Sequence, residues 1–232
     1  MRLPPEGSWP ELVAALDERG YAVLPGLLEP AQCDGLAALY AQDDAFRSRV
    51  VMARHNFGSG EYKYLRYPLP AAVSALREAL YPRLVPIANL WHERLRLDQR
   101  FPASHRDYLA RCQAAGQQRP TPLILKYEAG DYNCLHQDLY GELVFPVQAT
   151  VLLSQPGRDF EGGEFLLVEQ RPRMQSKGEV VALGKGDAVV FAVSHRPLKG
   201  ARGYYRGTMR HGVSPLHSGR RFTLGIIFHD AA

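Results

Sequence analysis

The chain has 232 residues, 46% of them hydrophobic and 22% charged, with a formal charge of +4. That composition excludes a disordered chain, and no apolar run approaches the length of a membrane span. Three cysteines, Cys33, Cys112 and Cys134, are odd in number and far apart, which excludes a disulfide framework or zinc spacing.

Reduced thiols and the absence of a signal-peptide pattern set the expectation of a cytoplasmic protein with no membrane partner. Only five of the 28 basic residues are Lys, so Arg carries the positive charge. Arg suits bidentate carboxylate or phosphate contacts and tilts the reading toward an anionic partner such as nucleic acid. An Arg-rich coding bias produces the same composition with no such partner. No long linker or repeat interrupts the chain, so 1–232 is expected to be one domain.

Trp9–Arg19 has helical spacing, with Leu12, Val13 and Leu16 on one face and Gly20 as the stop. Tyr21–Leu24 is a short apolar strand. Pro30 opens a second helix with an inward stripe of Cys33, Leu36, Ala37 and Tyr40. Between Val50 and Leu65, basic and aromatic residues interleave around Gly58 and Gly60. Arg54, His55, Phe57, Tyr62, Lys63 and Tyr64 there line either a substrate cleft or an exposed hairpin. Pro70 to Arg96 is the longest helical pattern, which Pro82 and Pro86 are expected to break or kink. His92 and His105 read as surface or helix-face histidines rather than ligands.

From Pro122 the pattern changes to short strands separated by Gly and Pro turns, which suggests a closed or two-layer β architecture. The expected strands are Leu123–Tyr127, Leu135–Asp138, Val147–Ser154, Glu164–Glu169, Glu179–Ala182, Ala188–Ala192, Met209–Val213 and Phe222–Phe228. Residues two apart on a strand share a face, so His136 and Asp138 are expected to point the same way, with Cys134 beside them. An imidazole and a carboxylate so placed are two parts of a 2-His-1-carboxylate set, the ligands of non-heme Fe(II) oxygenases.

His211 is the candidate third ligand, with His217 as an alternative. Arg221 opens an apolar run and is expected to be buried. A buried Arg needs an anionic partner, and a bound carboxylate is the economical candidate. Arg220 is the alternative, but neighbours on a strand face opposite ways. His195 and His229 read as structural or as neighbours of the site. The stretch Ser194–Arg206 is basic, glycine-containing and aromatic, fitting either an anion-gripping loop or a solvated hairpin.

His136, Asp138, His211 and Arg221, in this order, resemble the signature of the Fe(II)- and 2-oxoglutarate-dependent dioxygenases. Lys126-Tyr127-Glu128-Ala129-Gly130 followed by Leu135-His136-Gln137-Asp138 is similar to the strand-turn-strand of AlkB-type nucleic-acid demethylases. The Gly162–Phe165 turn and the Gly186–Phe191 strand also resemble the barrel of this superfamily, and the C-terminal run from Arg210–Ser214 through Ile227–Asp230 resembles, more narrowly, a bacterial AlkB-like oxygenase family. The resemblance covers roughly Pro122 to Asp230.

It implies an α+β, mainly β fold: a double-stranded β-helix (jelly roll) over 122–230, with a helical, substrate-flanking part over 1–121 packed on its outer sheet. It implies Fe(II) on His136, Asp138 and His211, with 2-oxoglutarate held by Arg221 and Tyr127, and O2 as oxidant. The implied reaction is hydroxylation of a C–H bond, with DNA repair by oxidative demethylation of alkylated DNA or RNA as the leading case. A protein side chain or small metabolite is the alternative substrate, and a non-catalytic cupin-like binding domain is the alternative from another class. The N-terminal half does not match the AlkB nucleotide-recognition lid.

Overall fold

The computed structural model describes all 232 residues. The first helix, α1 (Trp9–Arg19), carries Pro10 in its first turn and ends at Gly20, whose φ of 81° is a left-handed stop. It turns directly into β1 (Tyr21–Leu24). Helix α2 (Pro30–Leu39) opens with Pro30 and a reciprocal cap between Glu29 and Gln32. β2 (Phe46–Val51), β3 (Gly58–Ser59) and β4 (Glu61–Leu65) follow, with β2 pairing β4 as a hairpin.

Helix α3 (Ala71–Arg94) is one continuous element with Pro82 and Pro86 inside it, against the expected break. The two prolines are four apart, on one face, and both are exposed. The carbonyls they leave without an N–H donor belong to Glu78 and Pro82, on the water side where solvent replaces the lost bond. The opposite face buries Val73, Leu76, Leu80, Leu84, Ile87 and Trp91. Truncating one of these leucines to Ala is expected to cost about 2–5 kcal/mol. Trp91 Nε1 and Arg94 both donate to Asp17, which ties α3 to α1. Helix α4 (His105–Ala114) is capped by the Ser104 hydroxyl.

The remaining strands are β5 (Leu123–Glu128), β6 (Tyr132–His136), β7 (Val147–Leu152), β8 (Phe160–Gly162), β9 (Phe165–Gln170), β10 (Lys177–Val181), β11 (Ala188–Ala192), β12 (His195–Gly200), β13 (Gly203–Val213) and β14 (Leu216–Ile226). They form two antiparallel sheets. The larger runs β1-β11-β7-β14-β5-β4-β2, with β8 on β14; the smaller runs β10-β9-β13-β6-β3, with β12 on β13. This is the expected jelly-roll architecture, with helices on the outer face of the larger sheet, but the expected division at 122 does not hold for the sheets: β1, β2 and β4 join the larger one and β3 the smaller. Ile124, Ala149, Val151, Leu224 and Ile226 face those helices in one core with Leu80, Leu84 and Trp91.

Four local expectations change. His92 and His105 lie on helices and outside the ligand group as expected, but they are buried rather than on the surface: His92 Nδ1 meets Gln99 O at 3.1 Å, and His105 Nε2 meets Phe228 O at 2.8 Å. Ser194–Arg206 is mostly hairpin, and Arg196 inside it is buried against Glu169 and the carbonyls of Asp17 and Glu18. That guanidinium is therefore committed internally rather than offered to an anion. The strand expected at Leu135–Asp138 is instead Tyr132–His136, so Asp138 lies beyond it. Cys134 is exposed and does not share the inward face of His136. No helix is long and apolar enough to cross a membrane.

Candidate active site

The two sheets enclose a cavity of about 200 Å³. On the larger sheet its lining follows strand alternation: Leu123, Leu125 and Tyr127 on β5, Gln148 and Thr150 on β7, Arg221, Thr223 and Gly225 on β14. The register places Arg221 opposite Tyr127, Thr223 opposite Leu125 and Gly225 opposite Leu123. The smaller sheet contributes Asn133, His136, Phe165, His211 and Val213.

His136 and His211 face each other across β6 and β13, with ring centroids 4.2 Å apart. The pairing slips beside them: His211 opposes His136, while Val213 opposes Asn133. Cys134 and Leu135 thus stand opposite the single residue Gly212, a β-bulge. The bulge breaks alternation, so Asn133 and His136 both face the cavity while Cys134 turns out. Gly212 makes room for it; a Cβ there would lie 2.7 Å from the Asn133 carbonyl oxygen.

Asp138 reaches the site from the segment after β6. Gln137 anchors that turn by donating to the carbonyls of Met209 at 2.9 Å and Ser194 at 3.2 Å. Asp138 Oδ2 lies 3.3 Å from His211 Nε2, and Oδ1 lies 3.6 Å from His136 Nε2. Ligand atoms of the three residues all fall within 4.8 Å of one another.

Burial raises the Asp138 carboxyl, but the His211 and His136 rings and the Gln148 amide outweigh it and hold the group well below the usual carboxylate range. Burial, reinforced by His211, lowers His136. His136 Nδ1 lies 2.8 Å from the Cys134 carbonyl oxygen, so it carries the proton and Nε2 keeps its lone pair for the site. His211 Nδ1 has no such acceptor; its ring is set by packing on Phe191 at 4.7 Å and Phe165 at 6.0 Å. Two imidazoles and one carboxylate, grouped to one side with open space before them, fit an octahedral divalent iron that keeps positions free.

Arg221 is 1% exposed. Burial lowers its pKa to about 10, so it stays charged at neutral pH. No carboxylate pairs with it; Nη1 makes one long contact to Thr223 Oγ1 at 3.4 Å, and Nε has no partner. Its guanidinium sits 5.7 Å from the Tyr127 ring and 5.8 Å from Phe160. An uncompensated buried cation at a cavity wall is a site for an anion. Tyr127 is fully buried; its hydroxyl accepts from Asn133 Nδ2 at 3.2 Å, and burial raises its pKa.

Arg220 points outward, 3.3 Å from Glu128. His217 is exposed and outside the three-residue group. His229 is buried, with Nδ1 accepting from Phe145 N–H. Of the aromatic and basic residues between Val50 and Leu65, Phe57 and Tyr62 line the cavity. Lys63 turns away to Asp43 and the Tyr40 carbonyl, and Arg54 and His55 lie outside the lining, with His55 stacked on Phe57 at 5.3 Å. Sequence reasoning missed Gln148, Thr150, Thr223 and Tyr140. Gln148 had a signal, because it is the amide in the apolar strand Val147–Leu152.

Residues 60–231 match the model of the Oxygenase-NA family, described as "Oxygenase, catalysing oxidative methylation of damaged DNA". Uncharacterized proteins from two strains of Mycobacterium tuberculosis are each 52% identical over 165 residues, covering 71% of this chain and 71% of theirs. Among solved structures, a Pseudomonas putida prolyl-4-hydroxylase aligns at TM-score 0.55 and 17% identity, covering 94% of this chain and 96% of that one. A Burkholderia pseudomallei 2OG-Fe(II) oxygenase family oxidoreductase aligns at TM-score 0.56 and 16% identity, covering 100% and 95%. A Trichoplax adhaerens prolyl hydroxylase, solved with a hypoxia inducible factor peptide, aligns at TM-score 0.58 and 14% identity, covering 95% and 88%. At such identities the likeness is one of fold. With a jelly roll enclosing a His-Asp-His group and a family model spanning most of its length, the chain belongs to the Oxygenase-NA family of oxygenases.

Proposed function

We propose that this oxygenase binds Fe(II) on His136, Asp138 and His211, binds 2-oxoglutarate against Arg221, and hydroxylates a C–H bond of an alkylated base in DNA. The observation that carries the reaction class is the pairing of two features in one cavity. A three-ligand group within 4.8 Å stands on one wall, and a buried, unpaired guanidinium stands on the other.

Bound there, iron with 2-oxoglutarate and O2 supplies the oxidising chemistry: decarboxylation of the 2-oxo acid coupled to oxygen insertion into a C–H bond. The chain does the rest. The Cys134 carbonyl fixes the His136 tautomer. Arg221 takes the far carboxylate of the cosubstrate through charge-assisted hydrogen bonds, with the Thr223 hydroxyl beside it and the Tyr127 ring underneath. Leu123, Leu125, Phe165 and Val213 line the cavity and exclude water. At the entrance Phe57 and Leu139 are exposed apolar side chains, and the His55–Phe57 stack offers a face to a planar ring. Together with the family description and the Arg-rich net positive charge, this supports a nucleobase over a peptide side chain.

The test is succinate formation from 2-oxoglutarate with Fe(II), with and without a methylated single-stranded oligodeoxynucleotide. Stimulation by the methylated strand, with salt-sensitive binding, is expected. Turnover that no methylated strand stimulates, with no binding even at low salt, overturns the DNA assignment and leaves the reaction class. Absence of any succinate overturns the class.

A further inference from the structure

Each oxygen of the Asp138 carboxylate has its own protein donor. The Tyr140 hydroxyl donates to Oδ1 at 2.8 Å, from two residues further along the same irregular segment. The Gln148 amide donates to Oδ2 at 2.8 Å, from β7 in the opposite sheet. A carboxylate oxygen has two lone pairs, so each keeps one free after accepting its bond.

Gln148 is 3% exposed, the one amide in the fully buried strand β7. Its orientation is determined, because the flipped amide would set one acceptor against another. In that orientation Nε2 also stands 3.4 Å from His211 Nε2, so one amide touches two of the three grouped residues. Tyr140 is held edge-on by Tyr64 at 6.1 Å and lies 6.2 Å from the His229 ring. Asp138 itself lies outside the strand ladder, where no backbone pairing fixes its side chain.

We infer that Tyr140 and Gln148 are positioning residues for the metal, a two-donor clamp that holds the Asp138 carboxylate toward His136 and His211. The inference rests on the proposed metal site. The clamp sets the plane of the carboxylate before the ion arrives and links the ligands of the smaller sheet to a strand of the larger one. Losing such an outer partner typically lowers metal affinity about 10–100-fold.

The test uses Mn(II) alone, titrated into the metal-free full chain and followed by the EPR signal of the free ion. Wild type, Tyr140→Phe, Gln148→Leu and the double variant are compared. The Co(II) absorption spectrum is recorded for each, and thermal unfolding without metal checks the fold. Each single variant is expected to raise the Mn(II) Kd about tenfold and to shift the Co(II) bands, with metal-free unfolding unchanged. Should Gln148→Leu unfold, Tyr140→Phe decides alone, since it removes one oxygen and no packing volume. Wild-type binding with variants within about twofold of it, and unshifted Co(II) bands, overturns the clamp and leaves the metal site standing. A wild type that binds no Mn(II) overturns both.

Discussion

The two walls of the cavity are built differently. On the larger sheet, three strands in regular register send every second side chain inward, and the reverse face is packed under helices. On the smaller sheet, the ligand group depends on a bulge, a turn beyond the strand end and a glycine that leaves space. The regular wall carries the fixed charge of Arg221, which needs a deep and inflexible seat. The irregular wall carries groups that must converge on a point, which a period of two cannot achieve from one strand. Regularity serves burial, and departure from it serves convergence.

The comparison breaks most sharply at Asp138. Asp138→Ala removes the one anionic ligand, and Mn(II) affinity is expected to fall more than about 100-fold, with loss of succinate formation. On the regular wall, Arg221→Leu is expected to raise the KM for 2-oxoglutarate about 10–100-fold, the worth of charged hydrogen bonds. Thermal stability is expected to hold or rise, because an unpaired buried charge is replaced by an apolar side chain. A large fall in stability would mean that Arg221 is structural.

Acid tests the backing of the regular wall. His105 contacts the Phe228 carbonyl just beyond β14, and burial lowers its pKa to about 4. A depressed histidine is neutral in the fold and protonates more readily when unfolded, so stability is full above about pH 6.5 and falls toward pH 4. Its share is roughly 3 kcal/mol at about 1.4 kcal/mol per unit. His229, lowered by burial to about 3, extends the loss to lower pH. A urea midpoint that stays constant from pH 7 to about pH 4.5 would remove this account. The smallest effect is expected at Gly212→Ala, about 1–3 kcal/mol of stability from crowding the Asn133 carbonyl, with weaker Mn(II) binding as the bulge shifts.

Much of this was legible in the sequence. The bounds of α1 followed from apolar spacing and Gly20, and β1 and β11 from their apolar runs. His136 and Asp138 stood out as an imidazole and a carboxylate two apart, and His211 and Arg221 because they complete, in order, the dioxygenase signature that the chain resembles. The rest depended on pairing, which a single strand does not reveal. Cys134 was expected beside His136 because alternation was assumed, and only register with β13 exposes the slip. Lys63 was grouped with Tyr62 by composition, yet neighbours on β4 face opposite sides, and its partners come from Tyr40 and Asp43. The prolines of α3 read as breaks because their exposure depends on which face the helix buries.

The extra residue in β6 acts as a phase shift. Deleting Leu135 would restore one-to-one pairing with β13 and give a better hydrogen-bonded ladder. It would also leave Asn133 and His136 two apart, on one face by plain alternation, so the pair does not depend on the extra residue itself. The slip is what the three-residue spacing requires: straightening β6 with Leu135 kept would turn one of the two out of the cavity, so a gain in ladder regularity there costs the site unless a residue is lost with it.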